Sequence, residues 1–534
     1  MSSHSNRSVY FMIRGEEIIV YPNLPSAEVP TPPPEVPTNG GSGDAQPHRS
    51  TEPRFVFGRL FDEIKAKKDE DEDRKEAVIA EIIELAKTIN AKADDAAGDS
   101  DIRAGYTYLG QFIAHEITFD KTEEPLEGEN PGYRSPQIDL DSLYGRGPEQ
   151  DPRFYQDGAR LKVGETIAGP DIRTTFFADL PRYGFGSRRI GKALIPDPRN
   201  DENLPLAQTH LAFIKFHNKV VDAIHLDPNR PDRHQLFEAA KKDVCQHFQW
   251  IILRDFLPKL LHEAEGSEPL ETRHPRLFKP DPDYGVFMPL EFSVAAFRFG
   301  HSMVRNQYEW NDLQNSGNRG IAKIENMFQF TGFSGDLDGK PRLESDWIID
   351  WQRFYDFQEL GRPIGKRRFN MARKIDPSFS LRLENIPGYP HVTANLDHQS
   401  IVARNLLRGY ACYLPCAEDV IKVIDVKNPL TPEQIGIKSQ LLTGQTPLWY
   451  YILKEAEHNN GNLGPVASFI IAETLVGLIR ESQYSILNEE NWKPKYGRRA
   501  TGDDPKFDMV DLLDFAEFVD PLGERLPGLS IEGF

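Results

Sequence analysis

Gln111 and His115 stand four residues apart in the run Tyr108-Leu-Gly-Gln-Phe-Ile-Ala-His-Glu116. On a helix that spacing stacks them on one face, with Tyr108 a further turn back. A neutral imidazole placed there can take a proton near neutral pH and return it. Arg199, in Asp197-Pro-Arg-Asn-Asp-Glu-Asn203, adds a permanent charge. It would stabilise negative charge on a departing oxygen and discourage protonation of a neighbouring histidine. His301 ends the run Phe297-Arg-Phe-Gly-His and is a second imidazole, preceded by a glycine that leaves room for a flat ligand. Asn405, in Ala403-Arg-Asn-Leu-Leu-Arg-Gly409, could accept from the far nitrogen of a metal-bound imidazole through its amide oxygen. Each residue also has a plainer reading. An isolated histidine is more often a satisfied core residue, and Arg199 by spacing alone fits a surface ion-pair cluster with Asp197, Asp201 and Glu202 that caps a helix.

Together the set meets the needs of a buried iron porphyrin that activates peroxide: an imidazole ligand on one side, and a proton acceptor beside a fixed charge on the other. Arg298, three residues before His301, could pair with a haem propionate. The segment Ser135-Pro-Gln-Ile-Asp-Leu-Asp-Ser-Leu-Tyr-Gly145 offers oxygens at alternating positions, which suits a hard cation such as calcium as well as it suits a plain Asp-rich turn.

These positions have to be carried by helices. Apolar residues recur at three- and four-residue spacings over 77–89 (Val78, Ile82, Leu85, Ile89), 204–224 (Leu211, Ile214, Val221), 236–261 with a break near Pro258, 290–304, 401–414 and 464–480. Pro205 falls in a first turn, and the charged run 67–73 reads as a solvated face. Strands are few and short, so the expected fold is mainly α. Residues 1–53 read as an N-terminal extension with one isolated strand over 17–21 and a Pro-, Gly- and Ser-rich linker over 22–53, ahead of a single domain over 54–534.

The 534-residue chain is 39% hydrophobic and 10% aromatic, with 32 Phe, enough to enclose a planar cofactor. A net charge of −19 argues against nucleic acid or anionic membranes as partners. Only three cysteines are present, Cys245, Cys412 and Cys416, so no disulfide framework is expected, and the last two would lie one helical turn apart. No signal peptide is apparent, and the most apolar later stretch, 466–479, is short and contains Glu473; no membrane span and a reducing cytoplasm are expected, with export by a non-classical route left open.

In combination and in order, these segments resemble the animal-type haem peroxidase family, also called the peroxidase–cyclooxygenase superfamily, and especially its soluble bacterial and fungal members, over residues 55–492. The resemblance implies that His115 is the distal acid–base catalyst, Gln111 a hydrogen-bonding pocket residue and Arg199 the distal arginine. It further implies that His301 ligates iron, Arg298 meets a propionate and Asn405 bonds the proximal imidazole. Leu463-Gly-Pro-Val466 and Ile471-Ala-Glu473 match a structural helix. Calcium would be held by Glu116, Ser135, the Gln137 carbonyl, Asp139 and Asp141.

Three departures matter. Ala114 stands where mammalian members carry an ester-forming Asp, while Glu202 matches their other ester position, leaving one covalent link to haem b, or none. Asn203 stands at the position of a sulfonium bond, so the unusually oxidising haem of that branch is not expected. Glu116 replaces an Asp at the calcium position. The function implied is reduction of hydrogen peroxide with oxidation of a phenol, an aromatic amine or a small anion, in a response to oxidative stress. Two rivals remain. A fatty-acid dioxygenase needs a tyrosine three residues before the proximal histidine, where this chain has Arg298. A haem-carrying binding or adhesion protein with a vestigial pocket would have no need of Gln111, His115, Arg199, His301 and Asn405 together.

Overall fold

Asp71 opens the first helix by accepting from the amides of Asp73 and Arg74, and α1 (Glu72–Thr88) then buries Val78, Ile82 and Leu85, with Ile89 buried just past its end. The computed structural model describes residues 9–13, 16–20, 57–66, 71–89, 98–118, 136–227, 231, 233–263, 269–282, 285–313, 320–365, 367–379 and 400–523. Helices dominate these residues, as the apolar periodicity requires, and the fold is mainly α. Among the described residues, no helix is long and apolar enough to cross a membrane.

The strand near the N-terminus is not isolated. β1 (Val9–Ile13) and β2 (Glu16–Val20) pair antiparallel, and β1 continues in parallel onto β3 (Phe57–Gly58), which pairs with the two-residue strand Met288–Pro289. The Val9–Ile13 strand escaped notice because Tyr10-Phe-Met-Ile13 is apolar without alternation. The whole linker over 22–53 lies outside the described residues, as do Ser135 and the charged positions 67–70. The sheet fixes the approach to His301: Glu291, just beyond Met288–Pro289, is fully buried and accepts from the Leu60 and Phe61 amides.

A second short pairing, β4 (Asp99–Arg103) against Met371–Arg373, delivers the chain to α2 (Gly105–Ile117), which carries Gln111 and His115. Only glycine fits at its start, since a Cβ on Gly105 would stand 2.3 Å from the Tyr355 ring. α2 sets Leu109, Phe112 and Ile113 into the core, with Phe112 stacked on Phe213 at 4.7 Å and edge-on to Phe248. Each of these burials is worth about 1.5–3 kcal/mol. A one-turn helix follows, α3 (Asp141–Tyr144). Phe213 belongs to α4 (Leu204–Leu226), capped by Asn203 with Pro205 in its first turn, and Phe248 to α5 (Arg233–Ile251).

Three helical stretches depart from the periodic expectation. Beyond α5, residues Ile252–Phe256 form a widened π turn before Leu257–Leu260, where Pro258 has no N–H to give to the carbonyl four residues back. The expected helix over 290–304 is a π turn, Glu291–Ala295, followed by a 3₁₀ segment, Ala296–Met303. Cys412 and Cys416 do not share a helix: Ile401–Ala411 ends at Cys412, Tyr413 turns left-handed at φ 52°, and Cys416 precedes Ala417–Ile424. All three thiols are free. The Leu448–His458 helix was not expected, because its run Leu448-Trp-Tyr-Tyr-Ile-Leu453 is apolar on all sides and has no helical period.

Candidate active site

α2 presents Gln111 and His115 on one partly exposed side, while Tyr108 turns into the core, its hydroxyl 3.8 Å from Met327 Sδ and its ring edge-on to Tyr308. The expected three-residue face is therefore a two-residue face. Opposite it lies the loop 197–203. Asp197 caps a short 3₁₀ turn, Pro198–Asp201, and Asn203 caps α4, so the loop is held at both ends by its own side chains.

The loop and the helix meet through a continuous set of hydrogen bonds. Gln111 Nε2 donates to Glu202 Oε2 at 3.2 Å, and Asn203 Nδ2 donates to Gln111 Oε1 at 3.0 Å. The Gln111 amide is thus pinned at both ends. Glu202 Oε2 stands 3.8 Å from His115 Nε2. On the other side of the ring, His115 Nδ1 is 2.9 Å from Asn200 Oδ1, and Asn200 Nδ2 is 2.9 Å from His210 Nδ1.

Arg199 lies under this arrangement. Its guanidinium pairs with Asp197 at 2.7 Å and donates to the carbonyls of His115 and Thr118 at 2.9 and 2.7 Å. Those carbonyls end α2, where the helix dipole favours a cation. The loop is anchored from behind by Arg182, which bridges Asp179 and Asp201 at 2.8 and 2.7 Å, all three side chains being buried. Sequence reasoning missed Asn200, His210, Arg182 and Thr118. Asn200 alone carried a signal, standing next to Arg199.

The second histidine sits on the 3₁₀ segment, which packs against α2. In a 3₁₀ turn side chains three apart eclipse, so Arg298 and His301 project together. Both reach Asn405, on the Ile401–Ala411 helix: Arg298 Nη1 donates to Asn405 Oδ1 at 3.2 Å, and Asn405 Nδ2 faces His301 Nδ1 at 3.2 Å. The sequence reading had the amide oxygen accepting from the imidazole; here Arg298, which can only donate, holds that oxygen and turns the amide nitrogen toward the ring. Arg298 also donates to the Ser293 carbonyl. Burial, then Arg298, Arg404 and Arg408, hold the His301 pKa down at about 3, so the ring is neutral.

At the proposed cation segment, Glu116 is buried and accepts from the amides of Asp141 and Ser142 at 2.9 Å each, capping α3. Asp139 is buried and its Oδ1 has no hydrogen-bond partner; burial, then Asp141 and Glu116, push its pKa well above the usual range. Lys241 Nζ stands 3.9 Å from Asp141. Gln137 donates its side-chain amide to the Glu481 carbonyl. Among the described residues, no three His, Cys, Asp or Glu side chains converge as a metal cage.

Residues 120–336 match the family described as animal haem peroxidase. That stretch is an animal haem peroxidase domain by its match. The chain is similar to Heme peroxidase 2 of Caenorhabditis elegans, 24% identical over 442 residues, which are 70% of this chain and 58% of that protein. It is 30% identical over 202 residues to a peroxidase-like protein of Margaritifera margaritifera, covering 34% of this chain and 23% of that one. The chain thus spans less than two thirds of these relatives. Among solved structures, peroxidase A of Dictyostelium discoideum superposes with a TM-score of 0.50 at 16% identity, covering 76% of this chain and 83% of that one. A fatty acid alpha-dioxygenase of Oryza sativa gives 0.50 at 15% identity, covering 77% and 74%. At such identities these two show a shared fold.

The residues around His301 fit a haem. His301 is neutral and its Nδ1 faces the Asn405 amide nitrogen; ligation through Nε2 requires the Asn405 oxygen to take that place, so that Nδ1 carries the proton and Nε2 the lone pair. A Cβ built on Gly300 would meet no atom within 4 Å, so the backbone beside the ligand can be approached closely. Arg298, Arg404 and Arg408 supply positive charge around it.

Proposed function

We propose that the protein is a haem peroxidase that reduces hydrogen peroxide and oxidises a small organic or anionic donor. The observation that carries this reading is the His115 ring held between Asn200 on Nδ1 and the Gln111–Glu202 pair near Nε2, on a helix packed against the segment that bears His301. Haem b bound through His301 would supply the redox chemistry. His115 Nε2 takes the proton from peroxide and returns it to the departing oxygen. Arg199, pinned under the end of α2 by Asp197 and the His115 and Thr118 carbonyls, would supply the fixed positive charge for the departing oxygen. Gln111 orients Glu202, the one carboxylate at a position able to form an ester with the haem.

Two further readings belong to the same proposal. Calcium at the Asp139–Asp141 segment would satisfy the orphaned Asp139 oxygen. A reducing compartment suits three free thiols. A dioxygenase reading is disfavoured because Arg298, bonded to Asn405, occupies the place three residues before His301.

The test is His115→Ala. Peroxide turnover with guaiacol or iodide should fall by about 10²–10⁴-fold while the Soret band persists. Undiminished turnover would show that His115 is not the acid–base group. Organic-solvent extraction of the denatured protein reads the ester directly, since haem released freely rules out a bond to Glu202.

A further inference from the structure

We propose that Asn200, backed by His210, is a positioning residue that locks His115 in one tautomer, with the proton on Nδ1 and the lone pair on Nε2; the inference rests on the peroxidase reading only for its consequence, not for its geometry. The Asn200 amide lies between two imidazoles, its oxygen 2.9 Å from His115 Nδ1 and its nitrogen 2.9 Å from His210 Nδ1. An amide oxygen only accepts and an amide N–H only donates. With the amide in this orientation, His115 Nδ1 must be the donor and His210 Nδ1 the acceptor. The basic nitrogen of His115 is thereby Nε2, the one facing Glu202.

The surroundings make this arrangement rigid. Asn200 and His210 are fully buried, and the Asn200 backbone N–H is bound to the Asp197 carbonyl at 3.1 Å. His210 sits in the second turn of α4, whose start is fixed by the Asn203 cap and whose ring packs edge-on to Phe112 of α2. Neighbouring Asp201 is held by Arg182 and by the Gly332 amide. A base whose wrong nitrogen carries the proton cannot accept one from peroxide, so the orientation of this amide decides whether His115 is competent at all. When Nε2 gains a proton, the Asn200 oxygen strengthens its hold on the imidazolium and the ring does not swing out of place.

The experiment compares the parent with Asn200→Leu, which keeps the volume and removes the acceptor, and Asn200→Asp, which keeps an acceptor oxygen. Histidine ring nitrogens are labelled with ¹⁵N, bound haem is held in the diamagnetic ferrous carbonyl state, and the His115 signals are assigned by their loss in His115→Gln. The parent should show a protonated Nδ1 and a bare Nε2. Asn200→Leu should lose that pattern, with peroxide turnover down at least tenfold, and Asn200→Asp should restore both. A parent with its proton on Nε2, or an Asn200→Leu spectrum identical to the parent, overturns the proposal even if the enzyme reduces peroxide. The expected tautomers without any peroxide turnover would uphold the positioning role and sink the peroxidase reading instead.

Discussion

Arg298 Nη1 lies 3.2 Å from Asn405 Oδ1, so the guanidinium rather than the imidazole holds the amide oxygen of the residue that faces His301. The eclipsed spacing of a 3₁₀ turn is what allows one asparagine to serve both side chains. Under the proposed ligation of haem by His301, Arg298 stands in the shell that orients the ring, where losses typically cost 10- to 100-fold in affinity or activity.

Arg298→Leu should therefore lower haem retention or turnover by about 10–100-fold and shift the iron–histidine stretch seen by resonance Raman, because the amide is released to turn its oxygen to the ring. An unchanged stretch would show that Arg298 does not set the amide.

Arg182 neutralises two buried carboxylates, Asp179 and Asp201, behind the loop 197–203. Arg182→Met leaves both charges buried without their cation. Unfolding in urea should show a loss of about 3–5 kcal/mol, and a loss below about 1 kcal/mol would mean that the pair behaves like a surface contact.

Metal content tests the Asp139 segment. Holoprotein passed through a chelating column should lose about one calcium per chain and melt at a lower temperature, and added calcium should restore the melt. Asp139→Asn should melt low and ignore both treatments. Calcium-free parent protein with an unchanged melt would leave the segment as a capped turn held by Glu116 and Lys241.

Two buried histidines predict acid lability. His217 donates from Nε2 to the Ala159 carbonyl and lies 3.0 Å from the Tyr144 hydroxyl at Nδ1; His247 donates from Nδ1 to the Asp243 carbonyl and accepts at Nε2 from the Lys495 amide. Both nitrogens of each ring are committed in the neutral form, and burial lowers each pKa to about 4. The unfolded chain takes up these protons at about 6.5 and the folded chain only near 4, so each ring stabilises the fold above 6.5 and that contribution is lost as the pH falls toward 4. The loss approaches roughly 3 kcal/mol per ring. Denaturant midpoints measured across that window should flatten by about one proton in His247→Gln; an unaltered slope would place the acid sensitivity elsewhere.

The chain by itself determined the helices whose stripes are written in its letters, such as Val78, Ile82 and Leu85 on α1, the Pro205 start of α4, and the short motifs around His115, Arg199, His301 and Asn405. Those are local signals, set by spacing and side-chain type. What only tertiary structure decided is which way each polar group faces. Tyr108 turned into the core because Met327 and Tyr308 await it there, Glu116 spent its oxygens on the α3 amides, and the Asn405 amide turned because Arg298 eclipses His301. The Asn200–His210 support joins a loop to the second turn of a helix. Such orientations depend on donors and acceptors brought together across long stretches of chain, and no local period records them.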